Sequence, residues 1–434
     1  MAEKILAGRA AVHREPAKHE VDVKVDQVVL ARDPRRALAE GVAVGLKKAS
    51  PEVAIAYDTV CVRDRSSLSP FGAEALSHGL SVARAGAGFP APVHLERFAA
   101  PARLAVTDEP RLAALGGVGM LTWVVPPAML GHALARGRVR LRSPRSIQVQ
   151  LTGKLRPFVA VRDVAFEWIR RDLAGIVRGV AASSEAPVVL EFGGPGARLL
   201  SVAERAILCA MAPHVGAVGA LFGSDERTEV FLRDERRSKA HRSLAPDAGA
   251  PFEEVVSLDL GAVDPLVRHA GSPQAGPGSS GSIVPVRELA GKPVSQVLLG
   301  GDTGTTLREL FVVATLLKSK RVPKGLDFLL AVPSRQMLEV LAESGALADL
   351  IATGARLVEP DPRIAAGLLY PPPGPGLSLT TCEPEGPAAV VVSSAETLAY
   401  AVATGKIGDP RAFKRPVRVT VPRVLPTDDV FVSR

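Results

Sequence analysis

Short uninterrupted apolar runs alternate along this chain with longer stretches whose apolar residues recur every three or four positions. The first pattern suits strands buried on both faces and the second suits amphipathic helices, so the chain reads as βα alternation around parallel sheets. Ala2 to Ala7 predicts a short helix, and Val21-Asp22-Val23-Lys24-Val25-Asp26 alternates as a half-buried strand. Helical spacing follows at Ala37 to Lys48, an apolar strand at Val53 to Tyr57, and helical spacing again at Phe71 to Ala85. Pro90-Ala91-Pro92 interrupts the pattern before a strand at Leu104 to Thr107. Leu112 to Trp123 is apolar and glycine-rich, and Met129 to Leu134 is helical in character. A strand at Ser146 to Leu151 and a helix at Val161 to Val177 open a second unit, where strand Val188 to Phe192 runs into Gly193-Gly194-Pro195-Gly196. Ser201 with Glu204 makes a capping box for helix Val202 to Met211.

The pattern is sharpest at Val297-Leu298-Leu299, which stops at Gly300-Gly301-Asp302-Thr303-Gly304-Thr305 and resumes as a helix from Leu307. Thr306 with Glu309 is a capping box that opens this helix. A strand, a glycine turn and a helix N-terminus present backbone N–H groups to an anion, so Gly300, Gly301, Asp302, Thr303, Gly304 and Thr305 are candidate ligand-loop residues. Beyond them come a strand at Phe328 to Val332, a helix at Ser334 to Ser344, a stiff surface excursion at Pro371 to Gly376, and a helix at Ala395 to Thr404 closed by Gly405.

At 434 residues the chain exceeds one ordinary core and implies two to three domains. Hydrophobic residues are 47% and charged residues 23%, the balance of a globular α/β protein. Aromatics at 4% are too few for a base-stacking platform, which disfavours single-strand nucleic-acid binding by stacking while leaving phosphate contacts by arginine open. The net charge of +8 suits anionic partners, but the basic clusters Arg32–Arg36, Arg136–Arg145 and Arg233–Arg242 are dispersed and read as solvated faces. Cys61, Cys209 and Cys382 are far apart with no C-x-x-C, which excludes a disulfide framework and points to the reducing cytoplasm. No run of about 18 apolar residues marks a membrane span. Residues 271–282 turn to Gly, Ser and Pro and read as a linker.

The order of several segments resembles the large subunit of the aconitase superfamily, in its isopropylmalate dehydratase and homoaconitase branch. The segments are Ala2 to Ala7, Val23 to Asp26, Leu134 to Pro144, Ile147 to Pro157 with Asp163, Glu191 to Gly196, Glu204-Arg205 with Cys209, Asp225 to Thr228, and Ala403 to Pro410. The resemblance implies three α/β/α domains around a cleft, here expected at residues 1–143, 144–268 and 269–434, with the family's mobile swivel domain absent and supplied, in relatives, by a small subunit. It also implies a [4Fe-4S] cluster held by three cysteines, its open iron acting as Lewis acid in a hydro-lyase reaction on a small hydroxy-acid.

Laid onto this sequence, the three cysteine positions fall on Asp302, Pro362 and Ala365, so no cofactor is expected. The family's Thr-His-Asp, Asp-His and Asp-Ser-His motifs fall on Ala31-Arg32-Asp33, Asp58-Thr59 and Asp108-Glu109-Pro110, which leaves Asp33, Asp58 and Asp108 without their imidazoles. The loop carrying the family's substrate arginine falls at Thr381 to Pro384 and has none. Two explanations stand: drift after function ceased, or a kept cleft put to a new use, with the aspartates holding a hard cation or simply capping turns. The resulting expectation is a cluster-free binding or regulatory protein. The alternatives are a hydro-lyase working with a small-subunit partner on a small carboxylate, and an RNA-binding protein.

Overall fold

The computed structural model describes residues 1–10, 20–58, 70–270, 281–365, 367–384, 389–427 and 430–433, and of Ala270, Pro362 and Ala365 the backbone alone. Cys61 and most of the 271–282 stretch lie outside the described residues. The architecture is mixed α/β with parallel sheets flanked by helices. It divides into two compact units. One comprises Met1–Thr152, Ala174–Leu258 and Asp429–Arg434, the other Gly153–Leu173 and Asp259–Asp428.

In the first unit, strands β1 (Glu20–Lys24) and β7 (Arg138–Arg142) form an antiparallel ribbon. Between them in sequence lie β2 (Gln27–Leu30), β3 (Val53–Ala56), β4 (Ser81–Ala83), β5 (Leu104–Thr107) and β6 (Leu121–Val124). These five are parallel in the order β4-β3-β2-β5-β6, and the strand Phe431–Val432 adds antiparallel to the β4 edge. Every residue of β2 is buried, which is why it carries no alternation for a sequence pattern to show. A second sheet in this unit contains β8 (Arg145–Thr152), β9 (Val188–Gly193), β10 (Gly219–Phe222) and β11 (Glu254–Asp259), in the order β10-β9-β8-β11.

Three predicted elements differ here. The helical stretch expected over 71–85 is the helix Pro70–Ser77 followed by strand β4. Pro90-Ala91-Pro92 starts the helix Pro90–Arg97, because proline's missing N–H costs nothing in a first turn. The single helix expected over 161–177 is two, Val161–Arg170 and Leu173–Ser184, broken where Asp172 turns to φ +56.

The second unit is built on seven strands: β12 (Leu266–Ala270), β13 (Ile283–Pro285), β14 (Val294–Gly300), β15 (Asp327–Ala331), β16 (Arg356–Leu357), β17 (Leu377–Thr380) and β18 (Val390–Ser393). Their order is β13-β12-β18-β17-β14-β15-β16, parallel from β18 to β16, with β12 antiparallel to both its neighbours. The expected boundary at 268/269 therefore cuts through β12, and the Gly/Ser/Pro stretch joins two paired strands of one sheet. β14 is the buried centre, and its Val297 and Leu299 share one core with Leu310 and Val313 of helix Leu307–Leu316 and Leu398 and Val402 of helix Ala395–Thr404. Packing of that kind fixes where β14 ends, and so where the glycine loop begins.

Candidate functional site

The loop after β14 is shaped by close approaches that a side chain would block. Gly300 has φ +104, and a Cβ there would stand 1.9 Å from the carbonyl oxygen of Ala331 at the end of β15. Gly301 has φ +78, and its Cβ would meet the Cys382 sulfur at 2.6 Å. Thr306 and Glu309 form the reciprocal cap the sequence predicts, at 3.1 Å and 2.7 Å, opening the helix Leu307–Leu316.

Two backbone N–H groups and one hydroxyl of the expected anion cradle are bonded within the protein. The Gly300 N–H donates to Thr381 Oγ1 at 2.9 Å, the Gly301 N–H to Ala331 O at 2.8 Å, and Thr305 Oγ1 to Thr381 Oγ1 at 2.8 Å. Gly300, Gly301, Asp302, Gly304 and Thr305 are buried, and Thr303, at φ +44, is half-buried.

Against this loop sits a buried ionic cluster that sequence reasoning missed. Glu383 receives Arg162 Nη1 on Oε1 at 3.2 Å and Arg268 Nη2 on Oε2. Arg162 also donates Nη2 to the carbonyl of Thr303 at 3.0 Å, which ties the cluster to the loop. Desolvation lowers both guanidinium pKa values, that of Arg268 to about 10, and Arg162 lowers Arg268 further by like-charge repulsion. Next to Arg162, the fully buried Asp163 is pushed up to about 7 by desolvation, while N–H groups of Leu266 and Ala160 pull the other way. The available signal was a charged residue inside an apolar run: Arg162 among Val159, Val161 and Val164, and Arg268 in the strand Leu266–Ala270.

Of the three aspartates singled out in the first unit, Asp33 and Asp108 hold backbone N–H groups and Asp58 meets an arginine side chain. Asp108 accepts the N–H groups of Ala31 and Asp33, each at 2.8 Å. Asp33 caps helix Pro34–Ala43 through the Arg36 N–H, and Asp58 faces Arg35 at 3.3 Å. Of these carboxylates, Asp33 is a helix cap. Among the described residues no group of three or more His, Cys, Asp or Glu is disposed to hold a metal ion.

The Gly193–Gly196 loop borders a cavity of about 250 Å³ lined by Glu191, Arg198, Arg205, Asp225 and Phe222 among others. Three of its charged groups, Glu191, Arg205 and Asp225, are matched locally. Glu191 takes the Met1 ammonium at 2.7 Å and the Ala2 N–H at 2.9 Å, and Arg205 grips Asp225 with both terminal nitrogens at 2.9 and 2.6 Å. Arg205 also lies 5.3 Å over the Phe222 ring.

Comparison with known proteins decides the family. Residues 60–361 match the aconitase family (aconitate hydratase) model. The chain belongs to the aconitase family. It is similar to the 3-isopropylmalate dehydratase large subunit 2 of Archaeoglobus fulgidus, 26% identical over 63% of this chain and 62% of that one. It is likewise similar to the 3-isopropylmalate dehydratase large subunit of Elusimicrobium minutum, 24% identical over 61% and 60% of the two chains. A third relative is the probable 3-isopropylmalate dehydratase large subunit of Methanothermobacter thermautotrophicus, 26% identical over 72% and 73%. The matched stretch spans about three fifths of the length of the first two.

An iron–sulfur cluster of the family type needs thiolate ligands. Asp302 offers a buried carboxylate, and Pro362 and Ala365, on the short helix Pro362–Ala365, are residue types with no donor atom. Cys382 is 3% exposed with its sulfur 3.2 Å from Thr380 Oγ1, and burial pushes the Cys209 thiol well above its ordinary range. At the positions where the family resemblance places the cluster cysteines, 302, 362 and 365, this chain carries no thiolate.

Proposed function

We propose that this chain is a non-catalytic member of the aconitase family, a cluster-free binding or regulatory protein built on the large-subunit scaffold. What supports the reading is that, where the resemblance places three soft thiolates, this chain carries Asp302, Pro362 and Ala365, one hard carboxylate and no thiolate. The absence of imidazole at Asp33, Asp58 and Asp108 supports it, because those carboxylates are engaged in caps and an arginine contact. Purification under anaerobic conditions with iron and sulfide analysis and a visible spectrum tests the reading. Near-stoichiometric iron and sulfide with a cluster chromophore overturns it.

The names of the relatives favour a second reading, a hydro-lyase acting on a small hydroxy-carboxylic acid together with a small subunit. Turnover of isopropylmalate, homocitrate or citrate, by the chain alone or with a small-subunit homologue, supports it, and no turnover across that panel rejects it. The few cysteines, widely spaced in the sequence and free at 209 and 382, suit a reducing cytoplasmic setting. Among the described residues no helix is long and apolar enough to cross a membrane.

A further inference from the structure

Two arginines in the second unit converge on one carboxylate. Arg162, Glu383 and Arg268 have side chains 2%, 8% and 9% exposed, so little water is left to share the charge. Their origins are separate: Arg162 from the first turn of helix Val161–Arg170, Arg268 from the middle of β12, and Glu383 from the segment leaving β17. Two guanidinium groups share the Glu383 carboxylate, and the Arg162 charge lowers the pKa of Arg268. The buried Arg268 Nε has no hydrogen-bond partner among the described residues. Neighbouring carboxylates of Asp163 and Glu309 act on Arg162 at longer range.

Glu383 is delivered to this position by the glycine loop itself. Thr381 Oγ1 donates to Gly300 O at 2.8 Å and accepts from the Gly300 N–H, while Gly301 and Gly304 leave room for Cys382 and for the Thr381 carbonyl. The residue two positions after Thr381 is thereby held where its side chain reaches both arginines.

We propose that Arg162 and Arg268 form a binding site for a small carboxylate, and that the protein's own Glu383 occupies it. The native chain then offers no open carboxylate site at this loop, and removing the Glu383 side chain creates one of formate or acetate size. The inference rests on the arginine geometry and is independent of whether a cluster is present.

The test uses the full chain as wild type, Glu383→Ala and Glu383→Gln, melted in sodium formate, sodium acetate and sodium chloride at matched ionic strength. Glu383→Ala is expected to melt below wild type and to regain most of that loss saturably with formate or acetate. Wild type should move no more with these salts than with chloride, and Glu383→Gln, whose amide still fills the site, should melt low without recovery. Rescue of Glu383→Ala by chloride equal to that by carboxylates overturns the proposal, as does a wild-type response to acetate matching that of Glu383→Ala. If Glu383→Ala fails to fold in chloride, refolding in formate decides: recovery of folded protein supports the site, and failure overturns it. Iron and sulfide content reports separately on the cluster-free reading.

Discussion

Acidification should expose one buried imidazole as a specific weakness of the first unit. His94 on helix Pro90–Arg97 is fully buried, with Nε2 2.7 Å from Gln27 Oε1 and Nδ1 3.3 Å from the Tyr57 hydroxyl. Gln27 donates its amide N–H to Phe98 O at 2.9 Å, which turns its oxygen toward His94. His94 therefore carries its proton on Nε2 and accepts from Tyr57 on Nδ1, the neutral tautomer. Burial, aided by the nearby Arg237 charge, lowers its pKa from 6.5 to about 3. The depressed value means that the unfolded chain binds the proton first, so stability is full above pH 6.5 and falls as the pH drops from 6.5 toward 3. The slope is about 1.4 kcal/mol per pH unit, so acidifying from pH 6.5 to 5 removes about 2 kcal/mol. Urea denaturation of wild type and His94→Asn at half-unit steps between pH 8 and 4 measures the term as the difference between the two pH profiles. Other titrating groups contribute to both and cancel. Parallel profiles would refute the reasoning, since they would mean that His94 charges inside the folded protein without penalty.

Other expectations follow from close approaches and buried pairs. Gly300→Ala should destabilise by at least about 2 kcal/mol, because φ +104 is strained for alanine and its Cβ would collide with Ala331 O; the urea midpoint reads this. Asp225→Ala should cost about 3 kcal/mol by leaving the buried Arg205 guanidinium without its carboxylate, and a thermal melt resolves a change of that size. Thr306→Ala should lose about 1 kcal/mol with the helix cap, seen as a lower melting temperature at unchanged helical content.

The parts of the fold legible in sequence were those with local chemistry. Ser201 with Glu204 and Thr306 with Glu309 cap the helices their spacing predicts, and helix Ala395–Thr404 ends at a left-handed Gly405 as composition suggests. The fully buried β2 and the helix Ala346–Thr353 were not legible, because the identity of each is set by what packs on it. At the site, the glycine loop was found but the partners of its first two N–H groups were not. Thr381 and Ala331, both distant in sequence, accept the Gly300 and Gly301 N–H groups, and no local pattern announces that Glu383 will reach Arg162 and Arg268.

The strand Phe431–Val432 has a consequence for the newborn chain. It completes the first unit's sheet beside β4, and its Phe431 packs 5.9 Å from Tyr57 and 5.0 Å from Phe98. A ribosome must polymerise the whole second unit between β4 and that strand, roughly 20 to 70 s at ordinary elongation rates. For that interval the nascent β4 edge is unpaired and the aromatic cluster around His94 lacks one wall, which makes it a natural place for a chaperone to hold or for two nascent chains to stick.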